Sequence, residues 1–187
     1  MLKAYLCSMF GWFRKKTKGP VVTDKICLNL AAKYSILRNW MEQHPGTSIC
    51  WWFEDSFEAA KAAMYPEDNN PPMLLARDVH HAGQLTGSCI FGEHHPLLAK
   101  ENQLYEKLHL ENILVFSSLS DPLLLRFGGE RIMEMMKSLG MDETAPVEHA
   151  LLTRAIKNAQ EKIARKVDNE SFAYSASEWF TRNYPDV

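Results

Sequence analysis

The chain has 187 residues, of which 46% are hydrophobic and 24% charged, the balance of a soluble globular protein with one core, or one domain plus an appendage. Its formal net charge of −2 gives no electrostatic ground for a nucleic-acid partner, which needs clustered Lys and Arg. The four cysteines, Cys7, Cys27, Cys50 and Cys89, are scattered in apolar surroundings without a CxxC pair. They read as reduced thiols of a cytoplasmic protein rather than as a disulfide framework.

Residues 1–19 form an apolar and basic arm. Leu2, Tyr5, Leu6, Met9, Phe10, Trp12 and Phe13 precede Arg14, Lys15, Lys16 and Lys18. The segment is too short to span a bilayer and lacks the parts of a signal peptide. Two readings stand side by side: an arm packed on its own domain or on a second copy of the chain, giving a homodimer, and peripheral membrane contact through residues 1–18.

After Gly19-Pro20, Asp24 is placed to cap a helix from Lys25 to Gln43, with Ile26, Leu30, Tyr34, Leu37 and Met41 on one face. His44-Pro45-Gly46 stops it. Short apolar runs at Ile49–Phe53, Met73–Ala76, Ser88–Phe91 and Ile113–Phe116 read as buried strands. Helices are expected from Asp55 or Ser56 to Met64, from Pro96 to Leu110, from Asp121 to Gly140 and from Val147 to Val167. Strands alternating with helices predict an α/β fold with a mostly parallel sheet flanked by helices, the final helices reading as an appended C-terminal extension.

No phosphate-cradling loop occurs in these residues, neither GxxxxGK[ST] nor GxGxxG, and Gly128-Gly129 has no lysine beside it. The pairs His80-His81 and His94-His95, with Asp78, Cys89 and Glu93 nearby, raise a zinc site. Adjacent side chains diverge, however, so each pair offers one convenient ligand, and loop histidines at a sheet edge are the alternative. There is no GxSxG elbow for a serine nucleophile. Glu54-Asp55 stand at a strand's carboxyl end, either as functional acids or as the first turn of a helix. Trp51-Trp52 put one ring on each face of a strand, as core or as an anchor for a partner.

Ser118-Leu119-Ser120-Asp121-Pro122-Leu123-Leu124-Leu125-Arg126-Phe127-Gly128-Gly129-Glu130-Arg131-Ile132 resembles a signature of the SecA family of protein-export ATPases. There, S-L-E-D leads into D-L-M-R-x-F-G-G-E-R-I. The likeness continues through Met136, Leu139-Gly140-Met141, Val147-Glu148-His149, Thr153-Arg154-Ala155-Ile156 and Asn158-Ala159-Gln160-Glu161-Lys162-Ile163. Upstream, Glu93-His94-His95 and Glu101-Asn102-Gln103-Leu104 resemble E-R-H-E-S-R-R-I-D-N-Q-L, and Pro45 to Phe53 resembles the first strand of the family's second nucleotide-binding lobe.

The resemblance covers roughly residues 20 to 167. It implies a RecA-like lobe over 20–140, with a helical extension over 141–187 that begins as the family's scaffold helix. The departures concern phosphate chemistry. The family's arginines fall on His94, Leu98 and Ala99, and its G-R-S-G-R-Q-G loop is replaced by Tyr105-Glu106-Lys107-Leu108-His109-Leu110. The sequence therefore nominates no catalytic, cofactor-binding or metal-ligating residue. What the resemblance implies is a non-catalytic module with protein partners in the secretion machinery. The alternative is a lobe that completes a nucleotide site in trans with a partner ATPase, for which Glu93, Gln103 and Arg126 are retained.

Overall fold

A computed structural model describes residues 19–67, 72–128, 134, 136, 138, 140 and 144–185. The arm at residues 1–18 lies outside the described residues. Five strands form one parallel sheet in the order β1-β5-β4-β2-β3. They are β1 (Val21–Cys27), β2 (Ser48–Trp51), β3 (Met73–Leu75), β4 (Cys89–Phe91) and β5 (Asn112–Ser118). This is the expected α/β, mostly parallel architecture, and it is consistent with a RecA-like lobe.

The helices are α1 (Leu30–Gln43), α2 (Glu54–Met64), α3 (Leu98–Lys107), α4 (Pro122–Arg126), α5 (Ala150–Ala164) and α6 (Ala176–Asn183). Side chains alternate across each strand, so both faces of the sheet must be covered. Cys27, Ile49, Trp51, Ile90 and Phe116 pack with Leu37 and Met41 of α1 and with Ala60 and Met64 of α2. Their neighbours Cys50, Cys89, Phe91, Ile113 and Val115 face Leu104 and Tyr105 of α3. A third cluster joins Ile26 and Leu119 to Leu152, Ile156 and Ile163 of α5 and to Trp179 and Phe180 of α6. The C-terminal helices therefore share a core with the sheet.

Three expectations are corrected. The helix expected from Lys25 begins at Leu30 behind a strand; Asn29, not Asp24, caps it by accepting the Ala32 N–H at 2.8 Å, and Leu30 is exposed. Asp24 lies in β1, 2% exposed. Asp24 and Lys25 interrupt the apolar pattern of this strand, and Asp24 is tolerated inside because it is paired. The helix expected from Asp121 to Gly140 stops at Phe127, where Gly128 takes φ +121°, a conformation L side chains rarely adopt; Glu134, Met136 and Ser138 are helical again. Val147 does not begin the next helix. It makes an antiparallel bridge to Ile26, with N–H···O distances of 2.8 and 2.9 Å, and His149 caps α5 instead.

Helix α6 lies beyond the elements read from the sequence. Its signal is Ser175-Ala176-Ser177-Glu178: the Ser175 hydroxyl accepts the Glu178 N–H at 3.0 Å, and the Glu178 carboxylate accepts the Tyr174 N–H at 2.7 Å.

Candidate functional site: the carboxyl edge of the sheet

Parallel sheets leave a crevice beyond their carboxyl ends, where open α/β folds bind ligands. Here the turns after β2, β4 and β5, with the start of α1, bring Lys33, Glu93 and Asp121 together. Lys33, in the first turns of α1 and 2% exposed, places its ammonium 3.1 Å from both oxygens of Asp121 and over the Trp51 ring. Asp121 also accepts the Ser118 N–H at 2.9 Å, which ties the start of α4 to the end of β5. Glu93 turns inward from the end of β4, and one of its oxygens accepts the N–H groups of Trp52 and Phe53, each at 2.9 Å. Burial raises its carboxyl to about 7, against the opposing pull of Lys33 and of hydrogen bonds from Ser56 and Phe53. Glu93 thus acts as a clamp between β4 and the turn after β2.

His94 is held on both ring nitrogens. Nε2 lies 2.7 Å from Asp24 and Nδ1 2.9 Å from Glu101. Both acceptors are carboxylates, so the geometry calls for a proton on each nitrogen. Burial by itself would lower the imidazolium pKa, but the charge of Glu101 and the bonds to Asp24 and Glu101 overcome it and raise it to about 10. Burial pushes the Asp24 carboxyl up; hydrogen bonds from His94 and Thr153 and the His94 charge outweigh it, and the net shift is downward. Glu101 also accepts the His95 N–H at 2.8 Å and the Gln160 amide at 3.0 Å, while Gln160 donates to the His95 carbonyl at 2.8 Å. This network joins β1, β4, α3 and α5. With both nitrogens committed, His94 offers no lone pair for a general base.

Two cavities flank these charges. One of about 380 Å³ lies between β1, α3 and α5, with His94, Glu101 and Gln160 in its wall. A second, of about 460 Å³, opens beyond β2, β3 and β4 and is closed by residues 170–179.

The residues singled out in the sequence divide between these settings. Glu54 and Asp55 occupy the first turn of α2, where they suit the helix dipole, and Glu54 pairs with exposed Arg77 at 2.7 Å. Trp51 is fully buried beneath α1 and α2, while Trp52 stacks on Phe91 on the other face. His80 and His81 sit in an exposed loop, where Gln84 accepts both backbone N–H groups. Among the described residues no three His, Cys, Asp or Glu groups converge as a metal site.

Of the positions that the sequence likens to SecA, Arg126 donates to the Tyr184 carbonyl at 3.0 Å and lies over the Phe180 and Tyr184 rings. Gln103 lies in the wall of the larger cavity. Sequence reasoning missed Asp24, Lys33, Glu101 and Glu170 as a charged interior, because the fold brings partners such as Asp24 and His94, or Lys33 and Asp121, together from distant parts of the chain.

No protein-family model matches the chain. Among curated proteins, it is similar to a protein translocase subunit SecA of Desulforapulum autotrophicum, 54% identical over 48 residues. That stretch is 26% of this chain and 6% of the relative, so the chain spans a small part of the protein it matches. It contains a SecA-related region. No helix among the described residues is long and apolar enough to cross a membrane.

Proposed function

We propose that this protein is a non-catalytic SecA-like interaction module, an adaptor, regulator or scaffold that binds protein partners of the secretion machinery in the cytoplasm or at the membrane periphery. In this reading residues 20–140 are the lobe, 141–187 are an extension folded back onto β1 and α3, and 1–19 are an arm.

One observation carries the reading. SecA-like positions that build the fold keep their side chains in structural bonds: Asp121 with Lys33, Arg126 with Tyr184, and Gln160 with Glu101. Where the family's E-R-H-E-S-R-R run carries arginines stand His94, Leu98 and Ala99, its loop of phosphate-reaching arginines is replaced by Tyr105-Glu106-Lys107-Leu108-His109-Leu110, and His94 is fully engaged by two carboxylates. Loss of transition-state arginines costs roughly 10³-fold or more in phosphoryl transfer. Two buried acids beside the replacing histidine would in addition repel a polyphosphate.

Calorimetry of the purified chain with ATP and ADP tests this. The expected result is no dissociation constant below about 10 μM and no hydrolysis above buffer. Tighter binding, or turnover abolished by a substitution in this chain, contradicts the proposal and supports completion of a nucleotide site in trans.

A further inference from the structure

We infer that the cavity beyond the carboxyl ends of β2, β3 and β4 is a binding site for a small aromatic carboxylate. Its volume of about 460 Å³ lies within the range of roughly 300–1,000 Å³ typical of small-molecule sites. Its wall is of two kinds. Trp52, Phe172 and Trp179 supply ring faces, and Arg77, Lys100 and Lys107 supply cations.

The cavity already recognises one carboxylate, that of Glu170 on the segment closing it. Glu170 takes bonds from His95 Nε2 at 3.1 Å, Lys100 Nζ at 2.9 Å and Trp179 Nε1 at 2.6 Å. The Leu97 N–H donates to His95 Nδ1 at 3.0 Å, which leaves the ring proton on Nε2, facing Glu170. Burial raises the Glu170 carboxyl, yet these donors prevail and hold it at about 2. Lys100 is thereby neutralised, and Arg77 is matched by Glu54.

Lys107 remains. Among the described residues it has no carboxylate partner, and its ammonium reaches only the Val79 carbonyl, at 3.3 Å. Lys100, Gln103, Leu104 and Lys107 follow the i, i+3, i+4, i+7 spacing of one helix face, so the Gln103 amide lies beside Lys107 on the same wall. One cation and one amide suit a single negative charge. A polyphosphate would ask for several free converging cations, whereas Arg77 and Lys100 are already paired with Glu54 and Glu170.

The apolar body of the ligand is set by the rings. Trp52 is partly exposed, and its Nε1 has no acceptor among the described residues. Phe172 is 56% exposed at the cavity mouth, under the Arg77 guanidinium. A flat ring between Trp52 and Phe172, with its carboxylate on Lys107 and Gln103, covers apolar surface and places one charge on the uncommitted cation.

The test is calorimetric titration of the full chain with 2-naphthoate, with the neutral 2-naphthamide and ATP as comparisons. The carboxylate should bind with a dissociation constant below about 1 mM and the amide about tenfold more weakly or worse. Lys107→Gln should weaken 2-naphthoate about tenfold without moving the melting temperature, and Phe172→Ala should weaken acid and amide alike. Absence of binding at about 5 mM, equal binding of acid and amide, or indifference to Lys107→Gln overturns the inference. ATP binding more tightly than 2-naphthoate through Lys107 overturns it too, in favour of a nucleotide.

Discussion

His94 joins two acidic side chains that stand far apart in the chain. Its imidazolium lies between two buried carboxylates, Asp24 and Glu101, with no second cation bonded to either among the described residues. Removing one member of such an array leaves uncompensated charge in the interior, at a cost of about 3–5 kcal/mol. His94→Gln should therefore lower unfolding stability at pH 7 by that order in a denaturant titration.

The same bonds set a pH dependence. The His94 pKa is raised in the folded state, from 6.5 to about 10. Its stabilisation is fully present below pH 6.5 and is lost as pH rises through about 10. Stability of the native protein should decline across that window, and His94→Gln should flatten the decline; a decline of unchanged slope in the variant would assign it to other groups. None of this was legible in the sequence. Asp24 and His94 are 70 positions apart, and an acid within a strand reads locally as a helix cap or a surface residue.

At the scale of elements, strands β2 to β5 were legible because each is a short apolar run between turns, as a sheet covered on both faces requires. β1 was not, since Asp24 and Lys25 break its run and Ile26 falls into helical phase with Leu30 and Tyr34. Helix α4 was read too long because Phe127-Gly128 looks like a tolerated interruption, whereas the positive φ of Gly128 ends the helix. The carboxyl edge was legible only as acids at strand ends; that Glu93 faces inward while Glu54 faces outward depends on packing.

Gly92 shows how closely this edge is built. A Cβ there would overlap the indole of Trp51, itself fully buried. Gly92→Ala should cost on the order of 1–3 kcal/mol in chemical denaturation. It should do so without changing the far-ultraviolet dichroism of the folded state, and an unchanged midpoint would mean that Trp51 has room to move.

For the whole molecule, the Asp24–His94–Glu101–Gln160 network and the shared cluster around Ile26, Leu119 and Trp179 bind sheet, α3 and the C-terminal helices together. A body tied internally at these points is suited to the proposed role of an interaction module. The most direct measurement is affinity capture of the intact chain from its native cells after mild cross-linking, with mass spectrometry of the cross-linked peptides. Cross-links from this chain to components of the protein translocation machinery are expected, unaffected by depletion of ATP. Cross-links confined to proteins outside translocation, or capture that depends on ATP, would contradict the proposed role.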